Sequence, residues 1–207
     1  MCKKRVIYTM SELNLALMSC FNKLNDSFFD GELEKVIITL EEGYKKGAYG
    51  WIRTVKDWKQ GDKERYHISI SSDFLDRPAQ DILATLLHEM CHLYALQKGI
   101  QDTSRSGIYH NKKFKEIAEG HGLTVIPVEH IGYTTECSAQ LSEWSNHNCP
   151  FAEIRVHKKR ETEKTKIAKP KQSSRKYVCP CCGLIVRATK ECRIACIECE
   201  CEMELES

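Results

Sequence analysis

The stretch DILATLLHEMCHLYALQK, residues 81–98, constrains the fold more than any other part of the chain. Its apolar residues recur at close to helical spacing without an intervening Gly or Pro, which predicts an amphipathic or largely buried helix. Gly99 follows directly and is a typical helix stop. His88 and His92 are four residues apart, so a helix places both imidazoles on one face. We therefore expect a helix that carries two neighbouring histidines.

Two imidazoles on one helix face can bind a single tetrahedral cation, with Glu89 beside its open position. This H-E-x-x-H motif is typical of zinc peptidases, in which the glutamate is the general base. The alternative is a chance match with two structural histidines, and the apolar helix around the motif argues against it. The sequence thus predicts a catalytic zinc bound by His88 and His92, with Glu89 as the catalytic residue.

A catalytic zinc needs a third protein ligand, and water takes the fourth place. A polar loop over 100–109 is followed by a predicted short helix over 111–119, which two glycines close. The possible ligands around this helix are His110, His121, Glu116 and Glu119. Spacing alone leaves all four open.

The other elements predict an α+β domain with a small antiparallel sheet. A first helix is expected with Ser11 as its N-cap and the Asp-Gly pair at 30–31 as its stop. Strands are expected at 36–40, 48–54 and 66–71, and a weakly periodic further helix at 133–144. Because the strands are consecutive and do not alternate with helices, a doubly wound α/β fold is disfavoured.

Seven of the 12 cysteines lie in the last thirty residues. Two C-x-x-C pairs among them predict a four-cysteine zinc ribbon with the ligands Cys179, Cys182, Cys196 and Cys199. The ligand choice stays open, because Cys181, Cys192 and Cys201 are alternatives and Glu200 stands where a Gly is expected after the second pair. Metal binding would supply the folding free energy of so short a segment.

Residues 157–176 contain nine Lys or Arg and only two Glu, which predicts a flexible basic linker. The predicted organisation is a metallopeptidase domain over 1–156, the linker over 157–176 and the ribbon over 177–207. The linker is either a solubilising tether or a site that attracts phosphates. A second region, residues 45–59, has aromatic side chains interleaved with basic ones. These side chains either pack across strands or bind nucleic acid by stacking on bases and neutralising phosphates. They are Tyr49, Trp51 and Trp58 with Lys45, Lys46, Arg53, Lys56 and Lys59.

The formal net charge of +2 gives no overall electrostatic argument for binding nucleic acid or a membrane. No apolar run is long enough for a signal peptide or a membrane span, and the clustered cysteines favour thiolates on metal over disulfides. A cytoplasmic protein without a membrane partner is expected.

The run TLLHEMCHLYALQKGIQDTSRSGIYHNKKFKEIAEGHGL resembles the core of the SprT-like metalloprotease family, which includes the DNA–protein crosslink protease Spartan. The likeness extends to FNKLNDSFFDGEL, AYGWI and YVCPCCGLIVRATK, and it is strongest to the short SprT-like proteins of bacteria and their mobile elements. In that family a third zinc histidine lies in an H-x-x-x-F segment, here His110 to Phe114. Spartan-like members have Gly before this histidine, whereas this chain has Tyr109.

The resemblance implies a zincin-like fold with His110 as the third ligand, one catalytic and one structural Zn²⁺, and protein substrates, including proteins bound or crosslinked to DNA. Single-stranded DNA is the implied nucleic-acid partner. One alternative is a non-catalytic zinc-dependent nucleic-acid-binding or regulatory protein, and another is a hydrolase of other bonds. Glu89 argues against the first, because a structural site needs no carboxylate beside an open zinc position. Tyr109, Tyr133 and Arg105 are open choices for stabilising the oxyanion.

Overall fold

The computed structural model describes residues 4–43, 47–158 and 174–206. The chain divides into two compact units, residues 1–159 and 160–207. The predicted basic linker falls largely on 159–173, which lie outside the described residues. In the part of the chain that the structure describes, no helix combines the length and the apolar character needed to cross a membrane.

The first unit mixes helices and short strands, which confirms the predicted α+β class. Among its described residues the helices are α1 (Met10–Phe28), α2 (Ala79–Lys98), α3 (Lys112–Gly120) and α4 (Ala139–Asn148). The strands are β1 (Arg5–Ile7), β2 (Ile37–Glu41), β3 (Gly50–Ile52), β4 (Trp58–Gln60), β5 (Lys63–Arg65), β6 (His67–Ser71), β7 (Thr103–Ser104), β8 (Tyr109–His110), β9 (Leu123–Val128), β10 (Gly132–Cys137) and β11 (Phe151–Ile154).

Helix α1 begins earlier than predicted, because Thr9 and not Ser11 is its N-cap. The backbone N–H of Glu12 donates to the Thr9 hydroxyl oxygen at 3.2 Å, and the Glu12 carboxylate accepts from the backbone N–H of Thr9 at 3.0 Å. This reciprocal capping box satisfies two N–H groups that the helix leaves unpaired. The sequence signal is the T-x-x-E spacing, which starts just upstream of the serine.

The central sheet is mixed, so the prediction of an antiparallel sheet was wrong. Its strand order is β2-β6-β3, with β2 parallel and β3 antiparallel to β6. Strand β6 is buried along its whole length, as a central strand should be. It lies between β2 and β3, and in the chain it follows a separate hairpin, β4–β5. The parallel pairing of β2 with β6 was missed because consecutive strands usually pair with each other, and a strand placed between two earlier ones leaves no local signal.

The predicted helix over 133–144 was also wrong in its first half. Residues up to Cys137 form β10, which pairs antiparallel with β9, and α4 starts only after the N-cap Ser138. The consecutive Thr134 and Thr135 favour an extended backbone because their branched side chains are restricted in helices. Strands β1 and β11 pair in parallel and were not predicted.

Helix α2 lies at the centre of the first unit's core. It packs against α1, α3, α4, β3 and β10. Six of its large apolar residues have no exposed surface: Ile82, Leu83, Leu86, Leu87, Met90 and Leu93. Truncating one such residue typically costs about 2–5 kcal/mol. The tight packing of α2 therefore fixes the positions of the polar residues on this helix.

The second unit is built from short strands. Among its described residues they are β12 (Arg175–Val178), β13 (Ile185–Ala188), β14 (Ala195–Cys196), β15 (Cys201–Glu202) and β16 (Glu204–Glu206). They form a three-stranded antiparallel sheet, β13-β12-β16, and a β14–β15 pair. The buried cluster consists of Tyr177, Cys179, Cys196 and Met203. Half of these side chains are thiols, so apolar burial alone gives this unit little stability.

Candidate metal centre

Three imidazoles converge in the first unit. His88 and His92 come from α2 and His110 from β8, and one ring nitrogen of each lies within 4.8 Å of the others. The Nε2 atom of His92 is 3.2 Å from Nε2 of His88 and 3.2 Å from Nε2 of His110. The structure therefore brings together the three histidines singled out in the sequence.

The other residues considered as the third ligand lie elsewhere. His121 is the C-cap residue of α3, and its ring Nδ1 lies 2.6 Å from the backbone oxygen of Phe28, at the end of α1. Glu116 and Glu119 are exposed on α3. Within the described residues, neither these three nor His67, His130, His147 or His157 belongs to a group that can bind a metal.

The outer nitrogens fix how His92 and His110 are protonated. Nδ1 of His92 lies 2.5 Å from a carboxylate oxygen of Asp102, and Nδ1 of His110 lies 2.7 Å from the backbone oxygen of Tyr133. Both partners only accept, so each Nδ1 donates, and in the neutral rings Nε2 carries a lone pair. Two lone pairs then face each other at 3.2 Å. A cation between them resolves this repulsion, so the residues fit a metal ion.

Asp102 and Thr135 were missed by the sequence analysis. Asp102 is buried in the loop after α2, and the Thr135 hydroxyl lies 2.8 Å from Nδ1 of His88. Such outer partners orient metal-binding imidazoles and raise their affinity. Asp102 had a weak signal, a carboxylate ten residues after His92, whereas Thr135 lay inside the stretch predicted as helix.

The Phe114 ring packs against all three imidazoles. Its ring centroid lies 4.8 Å from that of His88, 4.6 Å from His92 and 4.4 Å from His110. The side chain is fully buried. The H-x-x-x-F spacing follows from this packing, because Asn111 caps α3 and the first turn then aims Phe114 back under His110.

Burial keeps the imidazoles of His88 and His110 neutral, as metal ligands must be. It lowers the pKa of His88 well below the usual range, and the neighbouring His92 and His110 lower it further. Burial, again with His92, lowers the pKa of His110 to about 4. At neutral pH these nitrogens offer lone pairs and not protons. Three neutral nitrogen donors suit zinc.

Glu89 is buried beside this cluster on α2, with 5% of its surface exposed. Burial raises the pKa of its carboxyl to about 7, against the lowering effects of His92 and of the backbone N–H of Ile52, which hydrogen-bonds to the carboxylate. Strand β3 passes so close that a Cβ on Gly50 would lie 3.2 Å from Glu89 Oε1 and 2.9 Å from Thr85 Cγ2. Glycine in the AYGWI segment therefore makes room for the carboxyl.

The loop before His110 is held by packing. Gly132 lies so close that a Cβ on it would meet the His110 backbone oxygen at 2.0 Å and the Tyr109 ring at 3.0 Å. The Arg105 guanidinium lies over the Tyr109 ring, 5.0 Å from its centroid. The oxyanion role considered for Tyr109, Tyr133 and Arg105 stays a prediction.

The basic and aromatic side chains between 49 and 59 contact other parts of the same unit. The Tyr49 ring packs edge-on against Phe74 and carries Arg77 on its face, 3.9 Å from the centroid. Lys56 pairs with Glu34 at 2.8 Å. These contacts favour packing as the role of Tyr49 and Lys56, while Lys45 and Lys46 lie outside the described residues.

The second unit contains a cysteine group with ligand spacing. The sulfur atoms of Cys179, Cys182, Cys196 and Cys199 all lie within 4.8 Å of one another. Gly183 has φ +74, which lets the chain turn back after the first pair, and Glu200 takes the same left-handed conformation at φ 50 after the second. Glu200 thus adopts the backbone of the expected glycine. Cys192 belongs to no metal-capable group among the described residues.

Comparison with known proteins gives one finding. The model of the SprT-like family matches residues 17–130, more than half of the 207-residue chain, and this range includes α2, β8 and α3 with all three histidines. No curated protein and no solved structure matches the chain. The expected closeness to short bacterial members stays a prediction. With most of its first unit matched, the chain belongs to the SprT-like family.

Proposed function

We propose that the chain is a zinc-dependent metallopeptidase with a zincin-like catalytic domain over 1–156. Membership of the SprT-like family indicates a metalloprotease-type function. The observation that carries the proposal is the pair of facing Nε2 lone pairs on His92 and His110, 3.2 Å apart, beside a helix that also buries Glu89. Protein interiors do not hold such acceptors together without a donor or a cation.

His88, His92 and His110 would hold the zinc through Nε2. When bound, zinc acts as a Lewis acid that polarises a carbonyl oxygen and acidifies water. Glu89 accepts the proton of the attacking water and passes it to the amine nitrogen of the leaving group. Burial raises the pKa of this carboxyl in the metal-free chain, which favours a group that can both take and release a proton. The packing of β3 fixes its position, because Gly50 leaves little free space beside Oε1.

The test is hydrolysis of a loosely folded protein by the zinc-loaded chain. Glu89→Gln should retain zinc and lose cleavage by about 100-fold or more, because an amide cannot accept the proton. Glu116→Gln is the matched control, since Glu116 is an exposed carboxylate outside the site. Cleavage by Glu89→Gln at the wild-type rate would exclude Glu89 as the base. Cleavage that persists after removal of the metal would exclude the zinc mechanism.

We further propose a structural zinc on Cys179, Cys182, Cys196 and Cys199, and proteins bound to DNA as the substrates. The support is the family likeness and the nine basic residues of 157–176. Removing basic side chains that neutralise phosphates should weaken DNA binding and make the remaining affinity less dependent on salt. A chain cut after Val156 should therefore bind single-stranded DNA weakly while still cleaving loosely folded protein. Unchanged DNA binding by this shorter chain would move the nucleic-acid surface to the first unit.

A further inference from the structure

The second unit contains more converging thiols than a four-cysteine site requires. A second group, Cys179, Cys181 and Cys201, also has its sulfur atoms within 4.8 Å of one another. The Cys179 and Cys201 sulfurs are 3.4 Å apart. Cys179 therefore belongs to both groups.

Both extra cysteines owe their positions to the backbone that forms the first group. Cys181 lies between Cys179 and Cys182 in the turn that Gly183 closes, where the Gly183 N–H donates to the Cys179 oxygen at 2.9 Å. Cys201 lies directly opposite Cys196 in the β14–β15 pair. Each is thus held by a hydrogen-bonded element and not by a loose tail.

We propose that the second unit binds two thiophilic d¹⁰ cations, such as Zn²⁺, as a cluster in which the Cys179 thiolate bridges the ions. The first ion is bound by Cys179, Cys182, Cys196 and Cys199. The second is bound by Cys179, Cys181 and Cys201. Thiolate sulfur is the donor that favours this class of ion.

The charges and the ligand count of such a cluster are consistent. The second ion brings two positive charges, and ionising Cys181 and Cys201 brings two negative ones, so the net charge of the cluster stays the same. Two protons are released as this ion binds. With three protein ligands the second ion keeps an open position, and the exposed Cys181 places that side of the site near solvent. We therefore expect the second ion to leave before the first when a chelator is added.

The proposal is tested by titrating the metal-free full chain with Cd²⁺ under reducing conditions. Thiolate-to-Cd²⁺ charge-transfer absorption reports only sulfur-bound ions, so the three-histidine site is silent and the outcome does not depend on the peptidase. The absorption should rise until two equivalents are sulfur-bound. In Cys181→Ser/Cys201→Ser it should stop at one, with a lower final amplitude, because only the four Cd–S bonds of the first group remain of the seven in the cluster. Cys192→Ser is the matched control and should behave like wild type, because this exposed cysteine lies in neither group.

Bridging of the two ions by the Cys179 sulfur is tested by a separate measurement. Cadmium-113 resonances of the doubly loaded chain should show scalar coupling between the two ions, transmitted by the shared Cys179 sulfur. Saturation of the wild-type chain at one sulfur-bound equivalent would overturn the second site. Two equivalents without coupling would overturn the bridge. If the double variant still binds one Cd²⁺, its second unit is folded. The loss of the second ion is then due to the missing thiols.

Discussion

Replacing Glu89 by Gln in the metal-free chain tests the burial of this carboxyl through folding stability. Burial raises its pKa from 4.5 to about 7, so the folded state holds its proton over a range in which the unfolded state has lost it. Stability therefore falls as the pH rises through this range. The sign is opposite to that of a carboxylate in an ion pair.

The magnitude follows from the two pKa values. A difference of one in pKa corresponds to about 1.4 kcal/mol, so ionised Glu89 costs about 3 kcal/mol above pH 7. At about pH 5.5 the same linkage gives a cost of about 1 kcal/mol. Gln carries no such cost. The stability of Glu89→Gln relative to wild type should thus be about 2 kcal/mol more favourable at pH 8 than at about pH 5.5.

The assay is urea unfolding followed by tryptophan fluorescence. All three tryptophans, Trp51, Trp58 and Trp144, lie in the first unit, so the signal does not include the cysteine-rich unit. The lowered pKa values of His88 and His110 keep both imidazoles neutral at both pH values, so the titration of these two rings adds little to the difference. Glu116→Gln serves as the control and should show no such change with pH, since Glu116 is exposed. A difference between Glu89→Gln and wild type that is equal at the two pH values would refute the buried, protonated carboxyl.

Three further outcomes are expected from the contacts around the site. Asp102→Asn should weaken zinc binding by about 10–100-fold in a chelator competition, because the partner of His92 Nδ1 is changed; unchanged affinity would remove Asp102 from the site. Gly50→Ala should lower cleavage while zinc is retained, because the new Cβ presses on Glu89 Oε1; full activity would show that this contact relaxes freely. Phe114→Ala should lower the free energy of unfolding by about 3–5 kcal/mol in urea, since the ring is fully buried; a loss below about 1 kcal/mol would contradict its packing under the imidazoles.

The sequence predicts α2 well because its evidence is local. Helical periodicity, the absence of Gly and Pro and the stop at Gly99 lie within twenty residues, and the observed helix ends at Lys98 with Gly99 at φ 66. The spacing of His88, Glu89 and His92 follows from the helix itself. No tertiary contact is needed to place these three residues on neighbouring faces.

The third ligand and the outer partners depend on contacts that the spacing does not encode. His110 was separated from His121 only by the family resemblance, because both flank the same short helix. Asp102, Thr135 and the Tyr133 carbonyl reach the imidazoles from a loop and from β10, up to 47 residues away in the sequence. The sheet was wrongly predicted to be antiparallel for the same reason, since β6 lies between two strands that precede it in the chain.

The hairpin β9–β10, part of which was predicted as helix, contacts the histidine site. Its turn needs Gly132, which has φ +83 and lies where a Cβ would meet the His110 backbone oxygen at 2.0 Å. That close approach lets the His110 N–H donate to the Ile131 oxygen at 2.9 Å and its ring Nδ1 donate to the Tyr133 oxygen. One short stretch therefore fixes both the backbone and the ring of His110. The position of His110, the proposed third ligand, thus depends on a glycine in a distant turn as much as on its own H-x-x-x-F segment.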